Sequence, residues 1–137
     1  MRDFVKGGVL GEITHIHITH SQNNRFNEME GMDPMEVGVS DCTARLGIPL
    51  YEVLRFIYPK PVYRLMASLA SASSEDLFDD NAFVTLEMEG GVMVSMVLSK
   101  MAALHENEMN IQIEGTVASV EWSNLRADVR MVFQVDG

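Results

Sequence analysis

The sequence predicts an α+β domain: an open, predominantly antiparallel β-sheet of about seven strands with one main helix packed on one face. Three observations carry this. One stretch, Gly47 to Tyr58, has a strong helical period. Most of the remaining chain alternates apolar and polar residues with the period of two that marks half-buried strands. The strands cluster after the helix with glycine-bearing turns between them, which favours antiparallel pairing.

In chain order, Arg2 to Lys6 followed by Gly7 and Gly8 reads as a last helical turn with its glycine cap. Glu12 to His20 reads as a strand with Ile16 and Ile18 on one side and His15, His17 and Thr19 on the other. Ser21 to Val39 is polar and rich in Asn, Glu, Gly and Met, a loop composition with no strand expected. Ser40 and Asp41 suit the N-cap of a short turn through Arg45, which leaves Gly47 as a break or kink, and the residues alone do not decide whether the two helical pieces fuse.

Leu46, Leu50, Val53, Leu54 and Ile57 then form one helical stripe, Pro49 fits the first turn, and Pro59 and Pro61 end the helix near Tyr58. In the next strand, Val62 to Ala70, the residues Tyr63, Leu65, Ala67 and Leu69 share a face. An acidic loop, Ser74 to Asp80, leads into Ala82 to Met88, and Gly90-Gly91 supplies the positive φ angles of a tight hairpin to Val92 through Leu98. Met109 to Glu114 and Ala118 to Trp122 form a second hairpin about Gly115, and Val129 to Val135 closes the sheet with a wholly apolar face.

Composition narrows the function classes. A chain of 137 residues fits one domain and buries enough surface for a core without metal or disulfide. A single cysteine, Cys42, and the lack of a leader or an apolar run of about 18 residues predict a soluble, cytoplasmic protein. Twenty Asp and Glu against ten Lys and Arg give a net charge of -10, which repels phosphate backbones and anionic lipid. Nucleic acid and membrane are therefore excluded as expected partners.

Four segments, Gly-Gly-Val-Leu-Gly-Glu-Ile (7 to 13), Leu-Arg-Phe-Ile (54 to 57), Asp-Asp-Asn-Ala-Phe-Val-Thr-Leu-Glu (79 to 87) and Ile-Glu-Gly-Thr-Val-Ala-Ser-Val-Glu-Trp (113 to 122), occur in an order and spacing that resemble the C-terminal domain of the Gfo/Idh/MocA oxidoreductases. The resemblance runs from about Phe4 to the end. It implies a partner Rossmann domain that binds NAD or NADP, and an α+β domain whose open sheet forms oligomers and whose helix faces the nicotinamide. The Rossmann half is expected to be absent, since no Gly-x-Gly-x-x-Gly follows a strand and Lys60-Pro61 stands at the wrong place for the family's catalytic Glu-Lys-Pro.

The family's helix motif, Gly-Asp-x-Gly-x-His-x-x-Asp, aligned on Gly47 and Leu54-Arg55-Phe56, puts Pro49 at the acid/base His, Arg45 at the first Asp and Glu52 at the last. Proline transfers no proton. By the same resemblance Asn23, Arg25, Arg45 and Tyr51 lie near the substrate cleft, where an arginine would grip a carboxylate or sugar oxygen. No catalytic, cofactor or metal residue is expected in this chain.

Several sharper readings lose to plainer ones. His15 and His17 share a side of their strand as a metal pair would, but a site needs three or four ligands, so they read as interface or solvated histidines. Cys42 beside Asp41 and His20 has no ordered base and reads as a buried thiol. Asp76, Asp79 and Asp80 lack the spacing of a calcium loop and read as a solvated acidic turn.

The expected function is the substrate-binding and oligomerisation domain of an NAD(P)-dependent dehydrogenase acting on a sugar, polyol or related hydroxy compound, inactive alone. The alternative is a catalytically inactive binding or assembly module derived from it. Phe83, Met93, Val97 and Val132 mark the sheet face away from the helix as the seam of a homodimer.

Overall fold

The structure is a computed structural model that describes residues 1–23, 42–71, 79–104 and 106–135. Its centre is a seven-stranded sheet in the order β2-β3-β4-β1-β5-β6-β7, with β1 Ile13–Ser21, β2 Val62–Ala70, β3 Asn81–Met88, β4 Met93–Ser99, β5 Glu108–Gly115, β6 Ala118–Ser123 and β7 Val129–Phe133. Every neighbouring pair is antiparallel except β1 with β4. The first strand thus sits in the middle of the sheet, between two strands made late in the chain.

The buried stripes follow the strand parity expected from sequence. Ile16 and Ile18 on β1, Val94, Met96 and Leu98 on β4, and Ile111 and Ile113 on β5 all point to one side, where the main helix covers them. That helix is continuous: a π-helical segment, Thr43–Gly47, runs without interruption into α2, Ile48–Ile57. Leu46, Leu50, Leu54 and Ile57 are buried and Val53 packs beside them, as the three-and-four spacing predicts.

Gly47 does not break the helix. Its φ of -75° and ψ of -44° are helical, and a Cβ there would stand 3.2 Å from Leu98 Cδ1, so glycine lets the helix lie close on β4. The extra residue is taken up by the π segment instead.

A short helix α1, Arg2–Lys6, places Phe4 and Val5 against the same core, and Leu10 in the turn that follows is fully buried. Gly8, with φ +69°, supplies the left-handed residue after α1, while Gly7 remains helical. Gly90 and Gly91 have φ of +91° and +80° in the β3–β4 turn, as the hairpin requires.

Two expectations for the sheet edges are corrected. A register shift between Val62 and Arg64 separates Tyr63 from Leu65, Ala67 and Leu69, and nearly all of β2 is exposed because the helix does not reach that edge. At the other edge β7 stops at Phe133, and Val129 and Phe133 are also exposed. No described helix is long and apolar enough to cross a membrane.

Candidate functional site

Because β1 and β4 are parallel, they deliver their C-terminal ends to the same end of the sheet, where the antiparallel β3 and β5 begin and β6 finishes. All the buried polar or charged residues among those described, His20, Asp79, Asp80, Lys100 and Ser123, collect there. Burying such groups costs free energy unless they are hydrogen-bonded, so their concentration at one end marks a built polar site rather than a packing accident.

Asp79 ties this end to the helix. Its Oδ2 accepts the Thr43 N–H at 3.3 Å and the Thr43 hydroxyl at 3.2 Å, and its backbone oxygen accepts the Cys42 N–H at 3.3 Å. A carboxylate from another element thus faces the positive end of the helix dipole. Asp79 Oδ1 is buried without a hydrogen-bond partner. Asp80 accepts the Asn81 amide at 2.5 Å and the backbone N–H of Lys100 at 2.8 Å. Both aspartates are therefore buried and structured, which corrects their reading as a solvated acidic turn; Asp76 lies outside the described residues.

His20 continues the buried stripe of Ile16 and Ile18. Its Nε2 lies 3.2 Å from Asn107 Oδ1, which also accepts the Gln22 side-chain amide at 3.2 Å. An amide oxygen only accepts, so Nε2 donates to it, and in the neutral ring Nδ1 is then the acceptor. That Nδ1 is buried and has no hydrogen-bond partner. Asn107 is itself held in the left-handed region, φ 62°, with its backbone oxygen accepting Asn124 Nδ2 at 2.7 Å while Asn124 Oδ1 accepts the Met109 N–H at 2.8 Å.

The residues expected in a cleft divide as follows. Asn23 is exposed just past the end of β1 and bridges to Met101; Arg45 is exposed in the π segment whose Thr43 is held by Asp79. Arg25 lies outside the described residues. Tyr51 is exposed farther along α2, with the Arg55 guanidinium 5.9 Å from its ring centre and Arg55 paired to Glu52 at 3.2 Å. Pro49 is exposed on the same helix, whose outer surface also carries Ile48 and Phe56.

Among the described residues no group of three or more His, Cys, Asp or Glu is placed to hold a metal. A hollow of about 180 Å³ exists elsewhere, on the sheet face away from the helix, lined by Gln112, Glu114, Ser119, Glu121 and Arg130. There Glu121 accepts hydrogen bonds from Gln112, Arg126 and Asn110, which pull its pKa down to about 2. That hollow has none of the buried, under-bonded groups that distinguish the polar end.

A helix-covered, mostly antiparallel sheet with a polar cluster beyond its strand ends defines an α+β domain. Residues 1–121 match the family model for the GFO/IDH/MocA C-terminal domain, and the chain belongs to that family. Among solved structures, an inositol dehydrogenase homolog complexed with NAD+ from Azotobacter vinelandii is 25% identical with a TM-score of 0.80, over 96% of this chain and 39% of that one. An oxidoreductase from Pseudomonas syringae, 24% identical, superposes with a TM-score of 0.83 over 99% and 35%. Levoglucosan dehydrogenase complexed with NADH and levoglucosan, 17% identical, reaches 0.84 over 99% and 40%. The last two likenesses establish the fold. The chain thus spans well under half the length of these proteins. No curated protein matches the sequence.

Proposed function

We propose that this chain is the substrate-binding and oligomerising part of an NAD(P)-dependent dehydrogenase acting on a sugar, polyol or related hydroxy compound. The observation that carries it is the polar end of the sheet, where His20 has an Nδ1 without a hydrogen-bond partner at the same end as the Asp79–Thr43 contact to the helix. A polyol hydroxyl donates into such an acceptor, and the exposed Asn23, Arg45 and Tyr51 supply further polar contacts, with Arg25 from the adjoining segment.

Among the described residues no glycine turn leads from a strand into a helix in the way that cradles a pyrophosphate, and this reading assigns NAD or NADP to a separate Rossmann domain. The cofactor supplies hydride transfer, and this chain binds and orients the hydroxyl-bearing substrate. Pro49 favours a second reading, because a proline at the family's acid/base position leaves the helix without a proton carrier there: a binding or assembly module that has lost catalysis.

The first test titrates NAD, NADP and NADH, then myo-inositol, into the purified chain, followed by calorimetry and amide NMR. The expected result is no cofactor binding, and polyol-induced shifts at His20, Gln22 and Arg45 up to about 10 mM, ten times the upper end of ordinary KM values. Micromolar affinity for a nicotinamide cofactor would overturn the division of labour, and polyol shifts confined to other residues would overturn the site.

The same reading assigns self-association to the sheet face away from the helix, where Phe83, Met93, Val97 and Val132 are exposed. Seven strands at about 4.8 Å spacing and about 23 Å of strand length give a footprint of roughly 700 Å², close to the 800 Å² each partner gives a standard interface. Light scattering should find a dimer, and Val97→Glu with Met93→Lys should convert it to monomer. A parent monomer, or a double variant of unchanged mass, removes this interface.

A further inference from the structure

His15 and His17 stand side by side on β1, the central strand, on the open face. Their rings stack with centroids 3.9 Å apart and planes inclined by 15°. His17 Nδ1 is hydrogen-bonded to Ser95 Oγ at 2.7 Å, and His15 Nε2 is buried without a hydrogen-bond partner. Across the ladder on β4 stand Met93 and Ser95, both uncharged, and across it on β5 stand Glu114 and Gln112. One strand farther out, Glu87 on β3 lies opposite Met93, and on β6 Glu121 lies opposite Gln112, engaged by Arg126 and registered with Arg130 of β7. Glu114 is the carboxylate directly beside the pair, and its Oε2 already accepts the Ser119 hydroxyl.

We propose that this stacked pair makes self-association through the open face pH-dependent, the assembly holding near neutral pH and loosening as the histidines take up protons. The inference rests on the reading that a second copy covers this face.

Stacked imidazoles tolerate each other while neutral, but protonation sets like charges within contact distance, and the loss of water in an interface strengthens their repulsion. The single chain already leans this way: burial first, and then the charge of His17, hold the His15 pKa below the ordinary imidazole value against the opposing pull of Glu114. A second copy over the pair adds burial, so the monomer binds protons more readily than the assembly. By linkage, association is strongest above the histidine range and weakens as pH falls through it.

The sign is diagnostic. A chain with net charge -10 and a pI of about 4.7 repels its own copies less as it is acidified, so general titration strengthens association over the same interval. A group that must stay neutral in the interface reverses that trend, and removing the two imidazoles tests whether they are that group.

Sedimentation velocity of the full chain at about pH 7.5 and 5.5, with circular dichroism confirming the fold at both, reads the effect. Two copies each excluding one proton from a site of ordinary imidazole affinity weaken association by up to about a hundredfold at pH 5.5. At least a tenfold rise in Kd is expected, and His15→Gln with His17→Gln should remove or reverse it. A parent dimer whose Kd is flat or falls with acid, or a double variant with the parent's slope, overturns the histidine switch alone. A chain that stays monomeric at both pH values overturns the interface reading, and the switch with it.

Discussion

Gly115→Ala should be the most damaging single methyl group this chain can receive at a strand end. A Cβ at Gly115 would stand 2.9 Å from the carbonyl carbon and 2.9 Å from the Cβ of Leu10, and closer still to the Leu10 oxygen. Backbone cannot rotate aside as a side-chain tip can, so the Leu10 turn must move. That turn is fastened by Val117 N–H to Leu10 O at 2.9 Å and Ala118 N–H to Leu10 O at 3.4 Å, and the Leu10 side chain is fully buried. Losing both hydrogen bonds costs about 2 kcal/mol, and re-exposing most of the leucine costs about 2 kcal/mol more. With an unfolding entropy of roughly 0.3 kcal/mol/K for a chain of this length, a loss of about 4 kcal/mol lowers Tm by about 13 °C.

Gly91→Ala is the control. Its φ is +80° but no atom lies within 4 Å of the new Cβ, so only the left-handed backbone cost of about 1 to 2 kcal/mol applies. Thermal melts and urea titrations of the two variants separate the effects. Equal losses, or a Gly115→Ala melt within about 2 °C of the parent, would refute the close-approach argument.

Asp79→Ala should cost about 1 to 2 kcal/mol by stripping the helix of its only observed side-chain acceptor at Thr43, and Asp79→Asn should cost less because an amide oxygen can still accept; urea unfolding of both variants checks the order. Glu121 has a folded pKa of about 2, below its ordinary value, so its stabilising contribution is complete above that ordinary value and is lost as pH falls through the folded one. The stability difference between the parent and Glu121→Gln should therefore shrink between about pH 5 and pH 2, and a constant difference would show that the hydrogen bonds from Gln112, Arg126 and Asn110 do not act on the charged form.

The sheet was legible because its strands alternate and its turns carry glycine; the β3–β4 hairpin follows from Gly90-Gly91 with almost nothing added. The parallel pairing of β1 with β4 was not, since both strands fit antiparallel partners equally well and the choice depends on contacts far apart in sequence. Gly47 left open whether the two helical pieces fuse for a related reason: glycine as a helix breaker is a local argument, whereas here its small size answers to Leu98 on another element.

The polar end was missed although a signal existed. In β1 the buried parity Ile16, Ile18 continues into His20; in β4 Val94, Met96, Leu98 continue into Lys100; in β3 Ala82 is preceded on the same parity by Asp80. A polar residue extending an apolar stripe reads as the point where a strand leaves the core. Only the strand order shows that three such points meet at one end. The Asn107 relay that fixes the His20 tautomer depends on a left-handed asparagine and on Asn124 across the β5–β6 ladder, neither of which a spacing pattern marks.

The central place of β1 has a consequence for synthesis. His17 and its β4 neighbour Ser95 are 78 positions apart, and β5 emerges later still. At about 5 to 20 residues per second, the ribosome delivers β4 roughly 4 to 16 s after β1. During that interval Ile16 and Ile18 have no ladder to join, and afterwards β3 with β4, and then β5 with β6, can each pair as local hairpins. The first strand made therefore cannot be seated before β4 and β5 have both emerged to flank it.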